Sequence, residues 1–228
     1  MTAAERRFRD RADAGRALAA LLSHHADRAD VVVLGLPRGG VPVAVEVARA
    51  LGAPLDVYVV RKLGLPSQPE LAMGAVASGG TRVLNEELVT SLALSPALIE
   101  EVAARELLVL EARERAYRGD RPPVDVEGRV VVLVDDGLAT GASMRAAVAA
   151  LRARGPASIT VAVPVAPEET CAALSRVADE LIVVATPYPF VAVGLWYVDF
   201  SEVSDQEVGE LLAQAWSPTG SSLAEPPS

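Results

Sequence analysis

Five short, mostly apolar runs, separated by segments with helical patterns, constrain the fold of this chain most strongly. They lie at residues 31–36, 55–60, 129–134, 158–163 and 180–185. Runs rich in Val, Leu and Ile are typical of strands that are buried on both faces of a parallel sheet. Strands that alternate with helices indicate repeated βαβ units. We therefore expect an α/β fold with a mostly parallel central sheet flanked by helices.

The chain has 228 residues, a length that suits one domain. We expect this domain to cover residues 1–216, with a first helix at 5–24, a last helix at 205–216 and a disordered tail at 217–228. The stretch 63–80 is rich in Gly, Pro and Ser and predicts a long loop, which in a compact domain is often functional.

Composition and charge exclude several classes of protein. The net charge of −9 argues against a general nucleic-acid surface, which requires an excess of Lys and Arg. The longest uncharged run, 181–198, contains two prolines and a glycine, so it predicts strand, loop and strand rather than a membrane span. Charges are scattered through the first residues, as in an amphipathic helix and unlike a secretory signal. We expect a cytosolic protein with no nucleic-acid or membrane partner, and with His24 and His25 at the surface of the first helix.

The segment 131–143, VVLVDDGLATGAS, carries the strongest functional pattern. Asp135 and Asp136 fall where an apolar strand ends, and ligands of open α/β sheets bind outside the carboxyl ends of strands. Thr140, Gly141 and Ser143 lie at the start of the next helix, where backbone N–H groups and hydroxyls can bind an anion. The segment therefore combines acceptors for sugar hydroxyls with donors for a phosphate. Two alternatives remain: a plain strand end with a helix cap, and a receiver-like phosphoacceptor site.

This segment resembles the signature of the type I phosphoribosyltransferase family: four apolar residues, two acids, a short spacer and Thr-Gly-x-Thr/Ser. The resemblance implies that Asp135 and Asp136 hold the ribose hydroxyls of 5-phosphoribosyl-1-pyrophosphate (PRPP). It also implies a loop around the 5-phosphate that consists of Ala139, Thr140, Gly141, Ala142 and Ser143. Within this fold, we expect segments 1–30 and 186–204 to form a small hood.

Two further segments are similar to loops of the same family. The sequence LPRGG at 36–40 resembles its first pyrophosphate loop, with backbone N–H groups of Gly39 and Gly40 and the charge of Arg38 directed at the anion. Arg61 and Lys62 follow the second predicted strand and resemble the strand-end Arg-Lys of adenine and orotate phosphoribosyltransferases. We assign pyrophosphate binding to these five residues, and a catalytic role to Arg38 and Lys62 together with the two acids.

The segment PFVAVGLWYVDF at 189–200 resembles the base-binding stretch of hypoxanthine-guanine enzymes, which predicts that Phe190, Trp196 and Asp199 bind the acceptor. In those enzymes the residue before Thr-Gly is usually Asp, whereas here it is Ala139, as is common in adenine enzymes. Guanine and hypoxanthine are therefore not the expected acceptors.

The resemblance implies transfer of a 5-phosphoribosyl group from Mg²⁺-bound PRPP to a nitrogen acceptor, a nucleobase or an amine, with release of pyrophosphate. Mg²⁺ is expected to be held mostly by ligand oxygens and water, and the protein is expected to be a homodimer. The alternative is a non-catalytic regulatory protein that binds PRPP or a nucleotide. Turnover of PRPP to pyrophosphate would distinguish the two.

Overall fold

The structure is a computed structural model that describes residues 7–217. Its helices and strands are, in chain order, α1 (Arg11–Leu21), β1 (Val31–Gly35), α2 (Gly40–Leu51), β2 (Leu55–Val57), β3 (Val60–Leu65), β4 (Gln68–Ala77), β5 (Thr81–Leu84), α3 (Glu86–Ser91), α4 (Pro96–Arg118), β6 (Val130–Val134), α5 (Ala142–Arg152), β7 (Ser158–Val165), α6 (Glu168–Leu174), β8 (Glu180–Ala185) and α7 (Asp205–Trp216).

The central sheet has five parallel strands in the order β2-β1-β6-β7-β8. Every residue of β1 and β6 is buried, as expected for strands covered by helices on both faces. The two strands pair in register from Val31 with Val130 to Gly35 with Val134. The predicted α/β fold with a mostly parallel, helix-flanked sheet is therefore confirmed, and the loops after β1 and β6 leave the sheet side by side.

A second, antiparallel sheet of β3, β4 and β5 replaces most of the loop predicted at 63–80. The predicted strand 55–60 was also too long, because β2 ends at Val57 and the chain then enters this sheet. The buried side chains of Leu63, Leu65 and Met73 cover one face of the hairpin. Gly74 had suggested a loop, but it permits close strand pairing, because a Cβ there would collide with the carbonyl oxygen of Val83.

Helix α1 begins at Arg11 and not at residue 5, because Asp10 is extended and its side chain caps the helix by accepting a hydrogen bond from the Asp13 N–H. The helix ends at Leu21, and a single 3₁₀ turn, Ser23–His25, follows. His25 was predicted at the surface but is 6% exposed, because this turn packs against the sheet. Residues 1–6, and residues 218–228 of the predicted tail, lie outside the described residues.

The other helices follow their local signals closely. The side chain of Ser95 caps α4, and Pro96 is its first residue. Helix α7 has the predicted bounds, whereas the short α3 was not predicted. Among the helices of residues 7–217, none combines the length and the apolar character needed to cross a membrane.

The two segments assigned to the hood contact each other directly. Phe8 forms an isolated parallel bridge with Tyr197: the Phe8 N–H donates to the Trp196 carbonyl, and the Val198 N–H donates to the Phe8 carbonyl, both over 2.8 Å. The aromatic rings of Phe8 and Tyr197 lie 5.5 Å apart. This contact fixes the start of α1 against the segment that follows β8, next to the loop after β6.

Candidate active site

Asp135 and Asp136 directly follow β6, at the carboxyl edge of the sheet. The Asp136 N–H donates to Oδ1 of Asp135 over 2.9 Å and so orients the Asp135 carboxylate. The Asp136 side chain is 14% exposed. Neighbouring parts of the protein therefore cover most of the two acidic residues and leave a limited part of their surface open to a ligand.

The Gly-Gly segment after β1 lies in direct contact with these acids. A Cβ at Gly39 would overlap the carboxylate of Asp136. A Cβ at Gly40 would lie 2.8 Å from the carbonyl oxygen of Val134 and 2.9 Å from Cα of Asp135. The predicted loops at 36–40 and 135–143 thus meet because β1 and β6 are neighbours. Only glycine allows the two backbones to come this close.

Arg11 and Tyr197, which lie in the two segments assigned to the hood, both bind Asp136. Nε of Arg11 donates to Oδ2 of Asp136 over 2.8 Å, and the Tyr197 hydroxyl donates to the Asp136 carbonyl over 2.5 Å. Arg11 also donates to the Ser201 carbonyl over 2.7 Å, and its guanidinium lies 4.1 Å from the centre of the Phe200 ring. Sequence reasoning missed both residues, because a charge in an amphipathic helix and a tyrosine in an irregular segment carry no signal that links them to residue 136.

Burial sets the electrostatics of the acidic pair. Desolvation raises the pKa of Asp135 well above its ordinary value, and the neighbouring charge of Asp136 raises it further. Desolvation also raises the pKa of Asp136, although the hydrogen bond and charge of Arg11 oppose that shift. An ionised carboxylate accepts stronger hydrogen bonds from sugar hydroxyls than a protonated carboxyl group does. Arg11 is therefore the group that favours the ionised form of the pair.

The loop before α5 is largely open to solvent. Ala139, Thr140, Ala142 and Ser143 are exposed, whereas Gly141 is buried with φ of +67° at the helix N-cap. A side chain at position 141 would be strained and would come 2.8 Å from Cγ2 of Thr170. The Thr170 hydroxyl donates to the Ala139 carbonyl over 2.6 Å and fixes the loop. The N-terminus of α5 thus presents backbone donors beside the two acids.

The predicted pyrophosphate residues are not all at the sheet edge. Arg38 is half-exposed and forms an ion pair with Glu202, in the segment 186–204 that follows β8. Arg61 and Lys62 lie on β3 of the antiparallel sheet, so the expectation that both follow a strand of the parallel sheet was wrong. Successive side chains of a strand point to opposite faces. Arg61 binds Glu106 of α4, with 2.7 Å between Nε and Oε2, whereas Lys62 is exposed.

The three predicted acceptor-binding residues lie in the segment 186–204. Phe190 is half-buried, and Trp196 packs near Phe8 and Tyr197. Asp199 is exposed, and its carboxylate accepts hydrogen bonds from the N–H and the hydroxyl of Ser201, which lower its pKa. Asp199, Glu202 and Arg11 line a cavity of about 320 Å³ beside α1 and α2. A larger cavity of about 760 Å³, beside Arg121 and Trp216, lies at the amino end of β2, far from the acidic pair.

The parallel sheet, the paired acids after β6 and the exposed helix start after them define an α/β protein with a candidate ligand site at the carboxyl edge. Residues 7–182 match the family model of the phosphoribosyl transferase domain. The chain therefore belongs to the phosphoribosyl transferase domain family.

Relatives agree with that assignment. The chain is 49% identical over 208 residues to a protein found in two strains of Mycobacterium tuberculosis, H37Rv and CDC 1551, and named "putative phosphoribosyl transferase". The match covers 91% of this chain and 47% of those proteins, so the chain spans about half the length of the curated relatives it matches. The crystal structure of TT1426 from Thermus thermophilus is 48% identical, with a TM-score of 0.83 over 91% of this chain and 98% of that one.

Proposed function

We propose that this protein transfers a 5-phosphoribosyl group from PRPP to a nitrogen acceptor and releases pyrophosphate. The observation that supports this most is the contact of Gly39 and Gly40 with Asp135 and Asp136, next to the open N-terminus of α5. Carboxylates for the ribose hydroxyls and backbone donors for phosphate groups are then available at one edge of the sheet. Such an arrangement suits a ligand with a sugar between two anionic ends.

Each group has a distinct role in this proposal. The carboxylates of Asp135 and Asp136 bind the ribose hydroxyls, and residues 139–143 surround the 5-phosphate. The bond between C1 of the ribose and the pyrophosphate oxygen breaks, the bond from C1 to the acceptor nitrogen forms, and the acceptor loses a proton. The Gly40 N–H already donates to the Leu36 carbonyl over 3.0 Å. The backbone N–H of Gly39, with Arg38, Lys62 and an Arg61 released from Glu106, would stabilise the charge that develops on the pyrophosphate.

The acidic pair also suits Mg²⁺. Hard carboxylate oxygens that retain some exposure, such as those of Asp135 and Asp136, suit an ion that keeps several waters. The ion would be bound chiefly by PRPP oxygens and water and would neutralise pyrophosphate charge. Arg38 is half-exposed, and release of its partner Glu202 would free its guanidinium to bind the leaving group.

The acceptor in this proposal is a base or amine other than guanine or hypoxanthine. Ala139 stands where hypoxanthine-guanine enzymes usually have an Asp, and a methyl group can neither bind nor deprotonate the ring. Loss of a general base typically costs a factor of about 10² to 10⁴ in rate. The cavity lined by Asp199 and Glu202 offers hydrogen-bond acceptors for the N–H groups of an amine or of adenine.

Pyrophosphate release tests the proposal. Purified protein is incubated with PRPP, Mg²⁺ and, in separate reactions, each nucleobase and a panel of amines. We expect release that depends on one acceptor and is absent in the variant Asp135→Asn/Asp136→Asn. Each lost charge-assisted acceptor should weaken PRPP binding by roughly 1.5–3 kcal/mol. A kcat/KM for guanine or hypoxanthine within the usual range of about 10⁴–10⁸ M⁻¹s⁻¹ would contradict the role given to Ala139.

Calorimetry separates this function from its alternatives. Unchanged PRPP affinity in the folded double variant would contradict the assignment of the acidic pair. Tight PRPP binding by the wild type without turnover of any acceptor would favour a regulatory PRPP-binding protein. Labelling of Asp135 or Asp136 by acetyl phosphate would instead favour a receiver-like phosphoprotein.

A further inference from the structure

A second cluster of polar side chains lies on the sheet away from the acidic pair. His24 and His25 come from the 3₁₀ turn after α1, and Glu180 is the first residue of β8. Nε2 of His24 lies 3.1 Å from Oε1 of Glu180, and Nε2 of His25 lies 3.1 Å from Oε2. Both imidazoles therefore present the same ring nitrogen to one carboxylate.

The separations within this cluster match those between ligands of one metal ion. The two imidazole nitrogens and a carboxylate oxygen all lie within 4.8 Å of one another. At metal–ligand distances of about 2.0–2.2 Å, two ligands of a tetrahedral ion are roughly 3.3 Å apart. The two rings lie 4.1 Å apart, and the His24 side chain is half-exposed, so its ring has room to move toward the other two groups.

The surroundings of the cluster suit a bound ion. The Thr160 hydroxyl donates to Oε2 of Glu180 over 2.9 Å, and Thr160 pairs with Glu180 in the register of β7 and β8. This bond orients the carboxylate, as is common behind metal ligands. The side chain of His25 is 7% exposed, whereas those of His24 and Glu180 are 49% and 35% exposed. One side of the cluster is therefore buried, and the opposite side is open for entry of the ion and for a water ligand.

The cluster is separate from the candidate active site. Glu180 and Thr160 pair level with Val132 of β6, three residues before Asp135. Three residues of a strand span roughly 10 Å, and Glu180 lies two strands away from β6. The proposed role of the acidic pair and the chemistry of this cluster can therefore be tested independently.

We propose that His24, His25 and Glu180 form a site for a divalent transition-metal ion, of which Zn²⁺ is the test case. Nε2 of each histidine and the carboxylate of Glu180 supply three ligands, and water completes the tetrahedron. Two imidazoles and one carboxylate suit Zn²⁺ better than Mg²⁺ or Ca²⁺, which prefer oxygen ligands alone. The ion would fasten the end of α1 to the edge strand β8 and so stabilise the helix that carries Arg11.

Isothermal titration of the metal-free full-length chain with Zn²⁺ tests this site. The chain contains two histidines, so histidine-dependent binding can arise nowhere else. We expect one equivalent of Zn²⁺ to bind, the imidazole proton resonances of both histidines to shift, and Tm to rise by about 5–10 °C at a hundredfold excess over Kd. His24→Ala and Glu180→Gln should each weaken binding at least tenfold. His24 is half-exposed, so its variant is expected to fold, which circular dichroism would verify.

Two control variants locate any binding that is observed. Cys171→Ser removes the chain's one cysteine, and Asp135→Asn/Asp136→Asn removes the acidic pair; both should bind Zn²⁺ as the wild type does. Absence of Zn²⁺ binding by the wild type would show a hydrogen-bonded cluster only. Full affinity in His24→Ala, or a loss confined to the Asp135→Asn/Asp136→Asn variant, would also overturn the proposal.

Discussion

Arg11 and Asp136 form an ion pair, with 2.8 Å between Nε and Oδ2, although 125 positions separate them in the chain. Both side chains are largely buried, at 12% and 14% exposure. The same guanidinium binds the Ser201 carbonyl and lies over the Phe200 ring. Arg11 therefore links the first helix, the segment 186–204 and the acidic pair.

Removal of this guanidinium should weaken PRPP binding in a manner that depends on pH. In Arg11→Ala, the pKa of Asp136 should rise further, because the group that opposes its desolvation is lost. A protonated carboxyl is a poor acceptor for ribose hydroxyls. We expect affinity at least tenfold weaker at pH 7, recovering as the pH is raised and Asp136 ionises, as measured by calorimetry across pH 6–9.

Arg16→Ala is the matched control for that experiment. Arg16 lies on the same helix, is about half-exposed and contacts Asp13 and Glu46 instead of Asp136. Its loss should leave the pH dependence of PRPP affinity unchanged. An affinity of Arg11→Ala that equals the wild type at every pH would rule out this positioning role.

Asp135→Asn should stabilise the unliganded protein at neutral pH. Burial raises the folded-state pKa of Asp135 well above its ordinary value of 3.8, so the native state binds this proton more tightly than the unfolded chain. The stability that this group contributes is thus present at low pH and lost as the pH rises through the folded-state pKa. The variant avoids that loss, and its Tm should exceed that of the wild type by a few degrees, since 1 kcal/mol corresponds to roughly 2–4 °C in a domain of this size.

Thermal unfolding between pH 4 and pH 8 measures the effect. The difference in Tm between Asp135→Asn and the wild type should be largest at pH 8 and should shrink toward pH 4. A difference that grows as the pH falls would mean that Asp135 is stabilised as a carboxylate, contrary to the desolvation argument.

Gly39→Ala should impair both stability and PRPP binding. The backbone at Gly39 has φ of −61°, which any residue can adopt, so the effect would come from the overlap of Cβ with the Asp136 carboxylate. Overpacking of this kind typically costs about 1–3 kcal/mol, and displacement of the carboxylate should weaken PRPP at least tenfold. Denaturant unfolding and calorimetry measure the two effects.

Gly209→Ala provides the comparison. Gly209 lies within α7, and a Cβ there would have its nearest neighbour, the Ala116 carbonyl oxygen, at 3.6 Å. Alanine in a helix interior is favoured over glycine by roughly 0.5–1 kcal/mol, so this variant should be slightly more stable and bind PRPP normally. Normal PRPP binding by Gly39→Ala would show that the loop can move away from Asp136.

Arg61 and Lys62 are predicted to act on the pyrophosphate end of PRPP. Replacement of both by Ala should weaken binding of PRPP far more than binding of ribose 5-phosphate, which lacks that group. Because Arg61 binds Glu106, the variant should also be less stable. A loss of stability affects binding of both ligands alike, so the ratio of the two affinities is not changed by it. Arg82→Ala, which breaks a similar pair with Glu100 of α4, should leave that ratio unchanged. Equal losses for both ligands would place the two cations away from the leaving group.

The sequence alone determined the elements whose cause is local. The apolar run of β6, the two acids after it and the helix start at Gly141 were predictable, because strand periodicity and turn chemistry act over a few residues. The same holds for Ser95 and Pro96 at the start of α4, and for the bounds of α7. The α/β class followed from the order of these elements.

Only the tertiary structure decided which distant residues meet. The antiparallel β3–β5 sheet was missed, because glycines and prolines that signal a loop locally also permit close strand pairing and a tight turn. Arg11 at Asp136 and the buried His25 at Glu180 were missed for the same physical reason. The sequence around a charged or polar side chain has no periodic pattern that indicates which distant residue it binds. That partner is determined by how the helices pack on the sheet.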